Sequence, residues 1–177
     1  MAFLPNLFTL ARIALTPFIA LAILHNQYGR ALLLCFFAGL SDGIDGRLAR
    51  RLNSITRLGA YLDPAADKLL VAVVYVSLGY VGQLTWWSVG IVLGRDVLIL
   101  GMVAWGMLFT KIREFPPSVW GKLSTALQIL AALMVMGAAN RWPVPRDPVV
   151  WAMLAATVWS GIHYAWHGLA QLGTRGN

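Results

Sequence analysis

The stretch that decides the fold lies between residues 42 and 67. It reads Asp42-Gly-Ile-Asp45-Gly46-Arg-Leu-Ala49-Arg50, then eight further residues, then Gly59-Ala-Tyr-Leu-Asp63-Pro-Ala-Ala-Asp67. Asp42 and Asp45 are three positions apart, so they share one face of a helix. The same holds for Asp63 and Asp67, which are four positions apart. The short connection over residues 51–57 predicts that the two helices are antiparallel neighbours, with their acidic faces meeting at one end.

The remainder of the chain is strongly apolar. Of its 177 residues, 59% are hydrophobic and 12% are charged, whereas a soluble domain carries about 25% charged residues. Six stretches approach the roughly 20 apolar residues that cross a bilayer as a helix. They cover about 7–24, 31 into the Asp42 region, 58–81, 86–109, 119–139 and 149–169. The sequence therefore predicts an all-α, polytopic membrane protein with six transmembrane helices, in a single domain over residues 1–177.

The distribution of basic residues predicts the orientation. The net charge is +7, from 14 Lys and Arg against 7 Asp and Glu. With six spans both termini lie on one side, which holds eight of the basic residues, while the other side holds three. The eight are Arg12, Arg47, Arg50, Arg51, Arg57, Lys111, Arg113 and Arg175, and the three are Arg30, Arg141 and Arg146.

Because basic loops stay on the cytoplasmic side, we expect the termini and the acidic cluster to face the cytoplasm, or the mitochondrial matrix. A bacterial or mitochondrial inner membrane is the expected location. In a membrane protein the positive charge indicates contact with anionic lipids, and no nucleic-acid partner is expected.

Four converging carboxylates favour a bound cation. Each carboxylate costs roughly 2.5–3.5 kcal/mol to place in a bilayer, and the four repel one another. Residues 42–67 contain no His or Cys, and all-oxygen ligands favour Mg²⁺ or Mn²⁺ over Zn²⁺. Two such ions would suit phosphoryl transfer. Structural ion pairs with the nearby arginines, or the ion pathway of a small cation transporter, are the alternatives.

The segment resembles the signature of the CDP-alcohol phosphotransferase (CDP-alcohol phosphatidyltransferase) family, D-x-x-D-G-x-x-A-R, eight residues, G-x-x-x-D-x-x-x-D. All eight fixed positions match at the right spacing. Similarity extends to the opening Pro5-Asn6-Leu-Phe-Thr9-Leu-Ala-Arg12, to Gly94-Arg95-Asp96 and to Gly121-Lys122-Leu-Ser-Thr125. The resemblance implies a six-helix membrane enzyme, usually a homodimer, with a polar cavity that faces the cytosol.

The resemblance also implies roles for individual residues. Asp42, Asp45, Asp63 and Asp67 would organise the divalent ions, and Asp67 would be the base that deprotonates the acceptor alcohol. That alcohol would attack the phosphorus of a CDP-linked lipid, such as CDP-diacylglycerol, and CMP would leave. The residues expected to bind the CDP-lipid are Asp45, Gly46, Ala49, Arg50, Thr56 and Gly59.

Physical reasons accompany several of these CDP-lipid assignments. Gly46 and Gly59 remove side chains where a pyrophosphate and a nucleotide approach the backbone closely. Ala49 has a small side chain and leaves room on the same helix face, and Arg50 can pair with phosphate charge. Thr56 is a candidate hydrogen-bonding partner of the nucleotide.

Two cations within predicted spans, Arg95 and Lys122, are candidates for binding a phosphate on the acceptor. For Arg95 the alternative is an ion pair with Asp96. These cations favour the family branch whose acceptors are glycerol 3-phosphate (phosphatidylglycerophosphate synthases) or phosphatidylglycerol (cardiolipin synthases). The Gly94-Arg95-Asp96 segment is closer to the cardiolipin synthases and Gly121-Lys122 to the glycerophosphate enzymes, so both acceptors stay open. Another acceptor, such as inositol phosphate, is the alternative.

Overall fold

The computed structural model describes the backbone of residues 4–52, 57–109 and 119–173, and the side chains of residues 10–40, 65–102 and 119–166. The described backbone forms six α-helices and contains no strand. The helices are α1 (Leu4–Leu24), α2 (Tyr28–Leu52), α3 (Arg57–Tyr80), α4 (Trp86–Phe109), α5 (Val119–Ala139) and α6 (Arg146–Gly173). The prediction of an all-α fold with six helices is thereby confirmed for the described residues, whereas six membrane spans stay a prediction.

Three of the helices end in the same way, because one residue after each adopts a left-handed conformation. These residues are Asn26 after α1, Gly82 after α3 and Arg141 after α5, with φ of 58°, 73° and 64°. In each case the next amide donates back to a carbonyl five residues earlier, as Gln27 does to Ala22 at 2.8 Å. This closing bond satisfies a carbonyl that the helix end would leave unpaired.

The chain divides into two compact units. The first consists of Met1–Leu84 with Val135–Val144, and the second of Thr85–Met134 with Pro145–Asn177. The single domain expected over residues 1–177 stays a prediction.

In the first unit, α1 packs against both α2 and α3. The tight turn from His25 to Gln27 joins α1 to α2, so these two helices are antiparallel neighbours. Ile19 and Ile23 of α1 and Leu78 of α3 are completely buried. These large aliphatic side chains hold α1 and α3 together through close van der Waals packing.

In the second unit, α4 packs against α6. The two helices are parallel, because Trp87 packs against Trp151 near the start of each, with ring centroids 6.0 Å apart, and Arg95 bonds to Ser160 further along both. The N-terminal part of α5 runs in the opposite direction. Its Trp120 meets Trp159 of α6 at 6.1 Å, while Gln128, two turns later, bonds to Thr157.

Large apolar side chains cover much of the outer surface of the described helices. On α2 they recur at Leu33, Phe36, Phe37 and Leu40, which are 47–62% exposed and lie on one face of the helix. Within the described side chains, α5 is the one helix long and apolar enough to cross a membrane, and Leu10–Leu24 and Tyr28–Leu40 are shorter apolar helical segments. The described structure therefore contains one helix whose length and composition suit a membrane span.

Candidate active site

The signature lies on two helices of the first unit. Helix α2 continues past its apolar run to Leu52, at the start of the connection expected over residues 51–57, and its last three turns carry residues 42–50. Helix α3 begins at Arg57 and carries Gly59, Asp63 and Asp67 in its first three turns.

Most signature side chains lie outside the described part of the structure. For Asp42, Asp45, Gly46, Ala49, Arg50, Gly59 and Asp63 the structure describes the helical backbone alone, and Thr56 lies outside the described residues altogether. Their roles in metal and CDP-lipid binding therefore stay predictions.

Asp67 is the signature aspartate whose side chain the structure describes. Its side chain is 52% exposed, whereas the preceding Ala66 is buried at 2% exposure. Helix α3 thus turns its small residue inward and its acid outward at this point.

The carboxylate of Asp67 forms an ion pair with a cation from another helix. The guanidinium of Arg12 in α1 donates from Nη1 to Oδ1 of Asp67, across 55 positions of the chain. The Arg12 side chain is 4% exposed, so this is an ion pair between a buried cation and a half-exposed acid. The sequence-based interpretation counted Arg12 as cytoplasmic loop charge and missed this contact. The available signal was an arginine within an apolar run, a position where charge requires a partner.

The backbone around Arg12 has a distinctive local structure. The Thr16 hydroxyl donates to the carbonyl of Arg12 at 2.8 Å, and Thr16 is itself buried. Pro17, the next residue, lies inside α1 and has no amide hydrogen to donate to the carbonyl one turn earlier. The Thr16 back-bond, a contact that tends to bend a helix, therefore lies next to the position where the proline removes a backbone hydrogen bond.

Arg95, the first candidate for binding an acceptor phosphate, is buried in the second unit. Its Nη1 donates to Asp96 Oδ1 at 2.7 Å, and its Nη2 donates to Ser160 Oγ of α6 at 3.0 Å and to the Gly121 carbonyl of α5 at 3.3 Å. The ion pair with Asp96, expected as an alternative role, is therefore present. Among the described residues, no group accepts a hydrogen bond from its buried Nε.

Lys122, the second candidate, lies at the start of α5. It is exposed and directly follows Gly121, whose carbonyl accepts from Arg95. The hydroxyl of Thr125 donates to the same carbonyl at 3.0 Å. The structure therefore places the Arg95 guanidinium against the residue that precedes Lys122, with Arg95 buried and Lys122 exposed.

A second polar cluster links α5 to α6 and was not expected from the sequence. The Thr157 hydroxyl of α6, which is fully buried, accepts from Gln128 Nε2 at 3.2 Å and lies 3.3 Å from Ser124 Oγ. Single Ser, Thr and Gln residues in apolar helices do not predict such a cluster from the sequence, because only the packing of the helices brings them together.

Asp67, the described side chain of the predicted metal site, has the chemistry that a hard cation requires. Asp67 offers carboxylate oxygen to the outside, which is the ligand type that Mg²⁺ and Mn²⁺ prefer. Among the described side chains, no group of three or more His, Cys, Asp or Glu residues comes together, and three of the four signature aspartates lie outside that part.

Comparison with known proteins identifies the family. The family model for CDP-alcohol phosphatidyltransferase matches residues 2–161, so the chain belongs to the CDP-alcohol phosphatidyltransferase family. It is a membrane-associated enzyme of the phosphatidyltransferase class.

Three relatives illustrate the family's members. The chain is 32% identical over 169 residues to the Escherichia coli "CDP-diacylglycerol--glycerol-3-phosphate 3-phosphatidyltransferase", covering 91% of this chain and 92% of that protein. It is 31% identical over 177 residues to a Mycobacterium tuberculosis "Probable phosphatidylglycerophosphate synthase", covering 96% and 83%. It is 37% identical over 131 residues to a Drosophila melanogaster "Probable cardiolipin synthase (CMP-forming)", covering 73% of this chain and 40% of that longer protein.

Proposed function

We propose that the protein transfers the phosphatidyl group of CDP-diacylglycerol to a glycerol-type acceptor, glycerol 3-phosphate or phosphatidylglycerol, and releases CMP. The observation that carries the proposal is the outward-facing Asp67 carboxylate at the end of a complete family signature. Relatives of nearly the same length bear the names of enzymes that act on glycerol phosphate.

In this proposal Asp67 accepts the proton of the acceptor hydroxyl as that oxygen bonds to the phosphorus of the CDP-lipid. The bond from phosphorus to CMP breaks at the same phosphorus, and CMP leaves with the bonding electrons. Gly46, Ala49, Arg50, Thr56 and Gly59, together with Asp45, bind the CDP-lipid. The half-exposed position of Asp67 supports its role, since a base must lie within hydrogen-bond reach of the proton that it removes.

The four signature aspartates, Asp42, Asp45, Asp63 and Asp67, are proposed to hold Mg²⁺ or Mn²⁺, in two sites. Such ions would stabilise negative charge on the phosphate and the leaving group. The support is the chemistry of the side chains: four carboxylates at helical spacing, of which Asp67 presents its oxygen outward.

Arg95 and Lys122 are proposed to bind the phosphate of the acceptor. Arg95 is held rigidly by Asp96, Ser160 and Gly121, which fixes the plane of its guanidinium. A preorganised guanidinium binds phosphate with little loss of side-chain entropy. Lys122 adds an exposed positive charge one residue from the Gly121 carbonyl.

The chain is further proposed to span the membrane six times, as a homodimer, with its active site on the cytoplasmic or matrix side. Exposed apolar faces on several helices support this topology, because soluble proteins rarely expose apolar patches of this size. Among the described atoms, a Cβ added at Gly90 or Gly94 of α4 would meet nothing within 4 Å. That open small-residue face is available for packing against lipid or a second copy.

The activity test uses the purified full-length protein in detergent micelles with labelled CDP-diacylglycerol and Mg²⁺. Glycerol 3-phosphate, phosphatidylglycerol and inositol phosphate are offered separately, and CMP release and the lipid product are measured. Release that depends on either glycerol-type acceptor supports the proposal and identifies the acceptor. Release with inositol phosphate alone, or with none of the three despite intact folding, would contradict it.

The assignment of Asp67 as the base has its own test. Asp67→Asn keeps the size of the side chain and removes the basic oxygen, so turnover is expected to fall below detection. Binding of CDP-diacylglycerol, measured by the protection that it gives against thermal unfolding, should change little. Turnover near that of the unaltered enzyme would show that another group removes the proton.

The topology can be mapped because Cys35 is the single cysteine of the chain. In a Cys35→Ser background, new cysteines at Gln27, Gln83 and Trp142 should react with a membrane-impermeant maleimide on intact cells. Cysteines at Ser54, Lys111 and Thr174 should react only after the membrane is opened. The reverse pattern would invert the orientation, and a mixed pattern would contradict six spans.

A further inference from the structure

The strongest unassigned feature is the contact that α1 makes with the predicted catalytic base. Arg12 is buried, and its guanidinium donates to one oxygen of Asp67, while about half of the Asp67 side chain stays exposed. The two members of the pair therefore differ: the cation is enclosed by protein and the acid faces outward.

Burial makes Arg12 a fixed reference point. Helix α1 is anchored against α3 by Ile19 and Ile23, which are completely buried, and the Thr16 hydroxyl bonds to the Arg12 carbonyl. Separating a buried guanidinium from its carboxylate partner would leave a buried charge with less compensation, so the pair is held together. With Oδ1 held in this way, the rotation of the Asp67 carboxylate is restricted and the direction of Oδ2 is set.

Orientation matters because proton transfer depends on geometry. A base contributes only when its oxygen lies within hydrogen-bond reach of the proton, and a displacement of about 1 Å can cost roughly 100-fold in rate. Residues that orient a metal-ligating side chain through a hydrogen bond, as Arg12 would orient Asp67, typically contribute about 10- to 100-fold to activity.

We propose that Arg12 is a positioning residue of the reaction: it holds one oxygen of Asp67 so that the other faces the acceptor hydroxyl. The proposal rests on the role of Asp67 in the proposed function. It assigns to the first helix, far from the signature in sequence, a direct part in the geometry of the site.

The first test separates turnover from binding. Arg12→Gln should lower kcat by about 10- to 100-fold, while the KM values for CDP-diacylglycerol and for the acceptor stay within about twofold. Arg12→Lys keeps the charge but lacks the planar fork, so it should restore part of the lost kcat. The matched control is Arg30→Gln, because Arg30 is an exposed arginine of the same unit that bonds to Gln27. It should leave all three constants unchanged.

The second test needs no activity and uses a double-mutant cycle on thermal unfolding in the presence of EDTA. Arg12→Gln, Asp67→Asn and the double variant are compared with the unaltered protein. If Arg12 acts through Asp67, the double variant should lose less stability than the sum of the single variants. Strict additivity would show that the two side chains are energetically independent and would overturn the proposal.

The remaining outcomes are also decisive. An unchanged kcat in Arg12→Gln, or full kcat in Arg12→Lys, would overturn positioning, the second by showing that charge alone is sufficient. Failure of the proposed function appears elsewhere, as normal turnover in Asp67→Asn. An inactive Asp67→Asn beside a fully active Arg12→Gln would reject this inference and leave the assignment of the base intact.

Discussion

Arg95 of α4 donates from Nη2 to the hydroxyl of Ser160 of α6 at 3.0 Å, across 65 positions of the chain. The same nitrogen reaches the carbonyl of Gly121 in α5 at 3.3 Å. One side chain therefore connects three helices of the second unit, and its stem lies beside Gly161, where an added Cβ would make an ordinary van der Waals contact with Arg95 Cγ at 3.8 Å. The guanidinium that we propose for acceptor binding is held from three sides.

Removing the hydroxyl of Ser160 should loosen this guanidinium. In Ser160→Ala we expect the KM for the acceptor to rise about three- to tenfold, the usual value of one hydrogen bond, with the KM for CDP-diacylglycerol unchanged. Steady-state kinetics with each substrate varied in turn gives both constants. Ser88→Ala is the matched control, because Ser88 is also buried and bonds to Thr85. If both KM values rise equally in Ser160→Ala, its hydroxyl supports the fold and not the acceptor.

Replacing Arg95 by Lys tests whether the planar guanidinium is required. A lysine keeps the charge but cannot hold Asp96, Ser160 and Gly121 in the same geometry. We expect kcat/KM for the acceptor to fall by about 10- to 100-fold, since hydrogen bonds to charged groups are strong. Arg146→Lys, at the exposed start of α6, should have no effect. An unchanged kcat/KM in Arg95→Lys would show that charge alone serves the acceptor.

The Thr157 cluster should affect stability and leave catalysis unchanged. Thr157→Val has nearly the same shape and removes a hydroxyl that interacts with Gln128 and Ser124, so the free energy of unfolding should fall by about 1 kcal/mol. Thermal unfolding in one detergent measures the change, with Val158→Thr on the exposed side of α6 as the comparison. Altered substrate KM values in Thr157→Val would give the cluster a role in the active site.

Much of the helical architecture was predictable because apolar runs and breaker residues bound the helices. The limits expected for α4 and α5, 86–109 and 119–139, coincide with those of the structure. Helix α2 extends about ten residues past its apolar run, to Leu52. Hydropathy declines there because Asp and Arg appear, but helix formation depends on backbone bonding and continues through them.

The site was predictable only in part, for a related reason. Helical spacing correctly placed the candidate aspartates on two helices of the fold, because spacing is a local property. The partner of Asp67 lies 55 positions away, and two partners of Arg95, Gly121 and Ser160, lie 26 and 65 positions away on other helices. Such contacts depend on how α1 rotates against α3 and α6 against α4, which is settled by the packing of whole faces and not by any short motif.

Removing the metal is expected to abolish turnover and to lower the stability of the protein measurably. Treatment with EDTA should eliminate CMP release, and Mg²⁺ or Mn²⁺ should restore it, whereas neither ion should restore it in Asp42→Asn, Asp45→Asn or Asp63→Asn. Binding to the folded state alone stabilises by about 2.7 kcal/mol at 100 times the dissociation constant, so the unaltered protein should unfold at least about 5 °C higher with Mn²⁺.

The matched control for this experiment is Asp147→Asn, since the Asp147 carboxylate is 86% exposed at the start of α6 and lies 3.8 Å from Arg146. It should keep the full shift in unfolding temperature, because a single surface carboxylate does not form a divalent site. Full activity in EDTA, or equal shifts of the unfolding temperature in the signature variants and the unaltered protein, would show that the signature aspartates do not bind the metal. Four carboxylates would then need another source of positive charge, and Arg12 is the buried cation that the structure already places against one of them.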